Sequence, residues 1–333
     1  MPGDPSKLKM VKDLGSPGIA LCLTRVPDCD RFYFGSSDFQ VREIDMAADK
    51  PKPTTFAGPG HDSYVTGIAL AGNRLISGGY DGRLIWWDRK THKPIRKVDA
   101  HKLWIRRVVA GTDGKRIASV ADDMLCRIWD AETGHKIREL AGHKLLTPHN
   151  YPSMLYAVAF SPDGKHLATG DRVGHVAVWE TATGKKLKTL ETPTMYTWDP
   201  KRRRHSIGGI RSLCFSPDGK RLAVGGMGQV GNIDHLQGEA RTEVFNWKSG
   251  KRLLEIKDNK RKGLVEQIAF HHSGKWLLTA GGDHKGFLCF YDATSGKPIH
   301  QQAAKDHVHG VAFNEDHTRL YAAHHSRLTM WTL

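Results

Sequence analysis

A chain of 333 residues with 39% hydrophobic and 26% charged side chains has an ordinary globular composition and enough apolar content for a sizeable core. No apolar run approaches the roughly 18 residues of a membrane helix, and the first residues lack the apolar core of a secretory leader. The net charge of +15 favours acidic partners over basic ones.

In chain order, residues 7–13 read as an edge strand, and a first core strand follows near 19–24. The next unit is the clearest. Residues 65–70, 74–78, 83–87 and 94–98 alternate apolar and polar with the period of half-buried strands. The segment Ser161-Pro162-Asp163-Gly164-Lys165-His166-Leu167-Ala168 returns as Ser216-Pro217-Asp218-Gly219-Lys220-Arg221-Leu222-Ala223, with blurred copies at 112–118 and 273–278. Asp81-Gly82, Asp113-Gly114, Asp163-Gly164 and Asp218-Gly219 mark turns, because Gly accepts positive φ and Asp bonds the turn backbone. With Ile44, Trp87, Trp129, Trp179, Phe245, Tyr291 and Trp331 as markers for the third strand of each unit, the steps are 43, 42, 50, 66, 46 and 40 residues. That period belongs to propeller blades of four strands. The expectation is one all-β domain over 1–333, a seven-bladed β-propeller of four-stranded antiparallel blades near 18–60, 61–100, 101–142, 143–191, 205–257, 263–303 and 306–333. The last unit stops after its third strand, so residues 7–13 are expected to supply the fourth and close the ring, leaving a complete domain.

The second unit, with Gly60-His61, Val65, Ile68, Leu75-Ile76-Ser77-Gly78-Gly79-Tyr80-Asp81-Gly82 and Trp87-Asp88, resembles the WD40-repeat family, and the likeness extends over essentially the whole chain. The resemblance implies hydrogen-bonded tetrads of His61, Ser77, Asp81 and Trp87 and of His101, Ser119, Asp123 and Trp129. The fourth unit keeps His143, Thr169 and Trp179, with Val173 where the Asp is expected. The fifth has Val224 and Phe245 at tetrad positions, and the sixth has Thr279, Asp283 and Tyr291. The first and seventh show no tetrad. These blades are expected to rely on apolar packing.

The resemblance also places the links between blades, and the turns between second and third strands, on one "top" face. The long insertions 144–153, 192–208, 226–241 and 258–263 all fall there. Residues 196–262 hold 15 Lys and Arg against 7 Asp and Glu, including Lys201-Arg202-Arg203-Arg204 and Lys260-Arg261-Lys262. Tyr64, Tyr80, Trp104 and Arg172 sit at loop positions suited to interface anchors. The expected partner-binding set is therefore Tyr64, Tyr80, Trp104, Arg172, Arg202, Arg203, Arg204, Lys260 and Arg261. The function expected is a non-catalytic scaffold for a protein or peptide partner, with an acidic one favoured. The alternative is nucleic-acid binding through 201–204 and 260–262, with Tyr196, Trp198 or Trp104 for stacking.

No catalytic constellation is expected. The tetrad serines lie inside strands and no Gly-x-Ser-x-Gly elbow occurs. Gly226-Met227-Gly228-Gln229-Val230-Gly231 fits a dinucleotide pattern, but no helix-period segment follows it, and it reads as a flexible insertion. His284, His307, His309, His324 and His325 map to upper loops without a metal-binding signature. No metal and no cofactor are assigned. Cys22, Cys29, Cys126, Cys214 and Cys289 are odd in number and scattered, as reduced cytoplasmic thiols are. The chain is expected to be cytoplasmic and monomeric on its own.

Overall fold

The structure is a computed structural model describing residues 3–201 and 204–333, the side chain of residue 259 apart. Seven four-stranded antiparallel sheets follow one another along the chain. The first comprises Ala20–Arg25, Arg31–Ser36, Val41–Asp45 and Thr54–Thr55, and the second Val65–Ala71, Arg74–Gly79, Arg83–Trp87 and Pro94–Asp99. The third comprises Ile105–Ala110, Arg116–Ala121, Leu125–Asp130 and Lys136–Ala141, and the fourth Leu155–Phe160, His166–Asp171, His175–Glu180 and Lys186–Glu191. The fifth comprises Ser212–Phe215, Arg221–Met227, Glu239–Asn246 and Lys251–Lys262, and the sixth Leu264–Phe270, Trp276–Gly282, Gly286–Asp292 and Pro298–Ala304. The seventh joins Val308–Phe313, Arg319–His324 and Arg327–Thr332 to Lys9–Gly15 from the other end of the chain. The expected closing strand is thus in place, with Lys9 opposite Thr332 and Gly15 opposite Arg327. The described residues contain no α-helix, only two short 3-10 turns.

By contact density the chain divides into two compact units, 1–121 with 127–138 and 308–333, and 122–126 with 139–307. The first holds sheets seven, one and two. The second holds sheets four, five and six.

Within a sheet, burial follows position. The second and third strands are buried almost throughout, whereas the fourth strand Pro94–Asp99 alternates half-buried and exposed residues, with Arg96 and Lys97 along it. Cations on the outer strand discourage edge-to-edge pairing between molecules. The turn after the second strand needs glycine at Gly82, whose φ is +76°.

Many polar groups inside the sheets are paired, as burial favours. In the second sheet the His61 ring lies 3.0 Å from Asp81 through Nδ1 and 2.7 Å from Ser77 Oγ through Nε2, and Trp87 Nε1 donates to Ser77 Oγ at 2.8 Å. In the third, His101 Nε2 lies 2.7 Å from Ser119 Oγ, Trp129 Nε1 donates to that oxygen at 2.9 Å, and Arg127 donates to His101 Nδ1 at 2.8 Å. Asp123 Oδ1 accepts the Leu125 N–H.

The other sheets correct the expectation of apolar packing alone. In the fourth, Asp171 rather than the Val173 position meets His143, at 2.8 Å, beside Thr169 and Trp179. Its carboxylate reaches the ring from the end of the second strand, two residues earlier than in sheet two. The first sheet uses Arg42, which donates to Ser36 and Asp38. The fifth buries Arg241 against Glu243 at 2.9 Å, with Arg252 on the far oxygen of Glu243. The sixth gathers Tyr291 and Gln301 as donors to Asp258, at 2.7 and 2.6 Å. The seventh places Trp331 Nε1 as donor to Thr329 at 2.8 Å, with His324 Nε2 2.8 Å from the same hydroxyl.

Candidate docking surfaces

The first unit carries a row of aromatic rings. Phe39 lies in the turn between Arg31–Ser36 and Val41–Asp45, Tyr64 just before Val65–Ala71, Tyr80 in the turn after Arg74–Gly79, and Trp104 just before Ile105–Ala110. Successive centroids are 5.9, 5.7 and 4.4 Å apart, and the last pair is stacked within 7°. Tyr64 and Trp104 are 43% and 48% exposed. Interleaving a turn residue with a link residue brings side chains 16 to 25 positions apart in sequence into one continuous surface.

Sequence reasoning missed Arg106. Its guanidinium lies 5.0 Å from the Tyr80 ring centre and 5.1 Å from that of Trp104, and it donates to Tyr80 Oη at 2.7 Å. A register shift between Ile105 and Arg107 turns Arg106 out of the strand's alternation. The same shift recurs in the first strand of sheets one, two, four, six and seven, leaving Leu21, Thr66, Tyr156, Glu266 and His309 as the extra residues. In the second unit two of them flank Arg211: its guanidinium lies 3.6 Å from the Tyr156 ring centre and 4.0 Å from Glu266, which is 3.8 Å from His307. Nothing in the sequence marks a bulge, because one extra residue only breaks the alternation.

Among the described residues, three insertions of the second unit touch one another, the 226–241 segment read as flexible included. Tyr196–Asp199 and His205–Gly208 pair as the two antiparallel strands of a hairpin. The His149 ring stacks on Trp198 at 4.1 Å and lies 2.9 Å from Tyr196 Oη, and Tyr151 packs on Trp198 and His205. The Val230 N–H donates to Thr197 Oγ1 at 3.1 Å, tying a third insertion to the hairpin. A side chain at Gly226 would meet the Gly209 carbonyl at 2.6 Å, so this glycine serves close packing. No helix follows it.

Arg172, expected at the surface, is 8% exposed, and its Nη2 donates to the Ser206 carbonyl at 2.7 Å. It holds the hairpin down. Arg202 and Arg203 lie outside the described residues. Arg204 is exposed, with a φ of +47°. Lys260 and Arg261 stand on the extended strand Lys251–Lys262 rather than a loop, and both backbone N–H groups donate to Asp258. Lys260 is exposed, whereas Arg261 is half-buried beside Gln301.

Ser77 and Ser119 are fully buried between His and Trp. Burial pushes the Cys22 and Cys289 thiols up to about 12 and Cys214 up to about 11, far from the thiolate a nucleophile needs. Among the upper histidines, His309 and His325 approach to 3.5 Å, and neither unit gathers three metal-ligand atoms from the five expected there, among the described residues. No helix is long and apolar enough to cross a membrane, among the described residues.

Comparison with known proteins agrees with the repeat pattern. The family model "WD domain, G-beta repeat" matches residues 52–88, 92–130, 134–180, 198–230 and 250–290. The chain is similar to telomerase protein component 1 of Mus musculus, 27% identical over 229 residues, which are 69% of this chain and 7% of that protein. It is similar to apoptotic protease-activating factor 1 of Rattus norvegicus, 29% over 157 residues, 47% of this chain and 12% of that protein. It is also similar to eukaryotic translation initiation factor 3 subunit I of Scheffersomyces stipitis, 25% over 226 residues, 67% and 56%. The chain spans less than two thirds of each of these relatives.

Proposed function

The chain belongs to the WD40 repeat family, and on that premise we propose that it is a non-catalytic scaffold that binds a protein or peptide partner through its loop-bearing face. The carrying observation is the row of exposed Phe39, Tyr64 and Trp104 with half-buried Tyr80 among them and Arg106 beside it. Aromatic and Arg side chains are the usual anchors of interfaces, since they bury large area with few rotatable bonds. The charge of +15 supports an acidic partner. One relative is by name a subunit of a larger factor, which fits a part that works by association. The cysteines and the charge fit a cytoplasmic protein.

Nucleic acid is the second reading, favoured by the basic runs beside aromatic rings. Against base stacking, Trp104 is already stacked on Tyr80 and Trp198 on His149. The test is capture of partners from the source lysate with and without nuclease, comparing the wild type with the Tyr64→Ala/Tyr80→Ala/Trp104→Ala variant. Nuclease-resistant protein partners lost in the variant are expected. Retention of every partner by the variant sinks the reading, and disappearance of all partners with nuclease transfers it to nucleic acid.

A further inference from the structure

We propose that the three interlocked insertions of the second unit form a second docking surface, one that takes an acidic peptide segment carrying aliphatic side chains. The proposal rests on the scaffold reading in kind, but it concerns a different surface, in the other unit.

Three features sit on one assembly. The first is order. Insertion 144–153 folds on itself through Ser153 N–H to Leu145 O and Thr147 N–H to Tyr151 O, both at 2.8 Å. Its His149 and Tyr151 clamp Trp198 of the hairpin, and Arg172 holds the Ser206 carbonyl from beneath. A surface held this way loses little freedom when a partner binds.

The second is exposed aliphatic surface. Leu145 and Leu146 are 68% and 49% exposed, adjacent in sequence, on an insertion whose backbone is fixed. Two exposed leucines on an ordered loop leave apolar area for a partner to cover.

The third is charge. Lys144, Lys201 and Arg204 are exposed and make no ion pair with the described residues. Their strongest complement is a carboxylate-rich segment. Leucine beside cations suits Asp and Glu interspersed with Leu or Val. A nucleic acid strand would use the cations but not the leucines, and the Trp198 ring is covered by His149.

The experiment uses fluorescence anisotropy with the full chain and a fluorescein-labelled 12-residue peptide alternating Glu and Asp with Leu at every fourth position. Control ligands are the same peptide with Ser for Leu and a poly-uridylate strand of equal charge. The Lys201→Glu/Arg204→Glu and Leu145→Ser/Leu146→Ser variants are expected to weaken the leucine-containing peptide by about tenfold each. The Ser peptide should bind wild type about tenfold more weakly too, and rising salt should weaken all binding. The Tyr64→Ala/Tyr80→Ala/Trp104→Ala variant should bind the peptide as wild type does, which separates this surface from the aromatic row. The changes are on exposed side chains, and the unfolding midpoint of each variant verifies folding. Lys201→Gln/Arg204→Gln serves if the charge reversal fails to fold. Equal binding of the Leu and Ser peptides, tighter binding of poly-uridylate, or insensitivity to the paired variants overturns the proposal.

Discussion

Asp38 shows how a single residue replaces a missing tetrad. The Arg42 guanidinium, helped by the Ser36 hydroxyl, holds its carboxyl down at about 2, against an ordinary value of 3.8. A carboxyl depressed by folding contributes stability that is complete above its unfolded pKa and fades as pH falls toward its folded one. The window is therefore from about 4 down to about 2. Asp38→Asn should lower the urea midpoint at pH 7, and the gap to wild type should close through that window. A gap that stays constant would place the loss in packing rather than charge. The effect should be modest, because about a third of the Asp38 side chain still meets solvent. Residue-level legibility was uneven for the same reason. The resemblance to the WD40 repeat pointed to the His61 set and to His101, Ser119 and Trp129, and in both units Asp follows Ser by four residues. Asp171 follows Thr169 by two, so counting pointed to Val173. Arg42, Glu243 and Asp258 belong to no repeated pattern, and only three dimensions show each at the centre of a polar cluster.

The inserted hairpin poses the corresponding question for an element. A two-stranded hairpin alone is marginal in water. This one pairs four residues with four, from Tyr196 with Gly208 to Asp199 with His205. Its stability must come from what it touches: His149 and Tyr151 on one side, Val230 beside it, and the Arg172 guanidinium on the buried Ser206 carbonyl. Arg172→Ala removes a charge-assisted hydrogen bond and leaves that carbonyl without its side-chain donor, a loss of about 1–3 kcal/mol. Amide exchange across Tyr196–Asp199 and His205–Gly208 should speed up by about tenfold or more. Exchange in Arg74–Gly79 should not change. Unaltered hairpin exchange would show that the ring clamp alone suffices. The sequence offered the length and charge of this insertion but not its order, because no hairpin turn motif marks residues 200–204. The same holds for Lys251–Lys262, whose basic end reads as a loop until Lys262 is seen opposite Glu239.

For the whole molecule, the repeats were enough to count blades, since Trp87, Trp129, Trp179 and their relatives recur at a nearly fixed interval. The terminal pairing was legible by subtraction, as the seventh unit lacked one strand and residues 7–13 lacked a partner. What the sequence hid was the contact between successive insertions, which depends on side chains such as His149 and Trp198 lying far apart along the chain. The pairing of Lys9–Gly15 with Arg327–Thr332 now carries its own prediction. Arg327 donates to Asp13, Met10 stands opposite Trp331, and Leu14 packs against the cluster of Phe32, Phe34 and Tyr321. Deleting residues 1–15 strips the backbone partners from Arg327–Thr332 and uncovers apolar surface at once. An uncovered strand edge is a template for another chain. The truncated protein should exchange amides fastest in Arg327–Thr332 and Arg319–His324, keep near-native protection in Glu239–Asn246 of the other unit, and associate as concentration rises. Hydrogen exchange read by mass spectrometry, with sedimentation at two concentrations, checks all three outcomes. A truncated chain that stays monomeric and keeps full protection in Arg327–Thr332 would show that the seventh blade is held by its three remaining strands and its packing on Phe32 and Phe34, with the terminal strand merely resting on its edge.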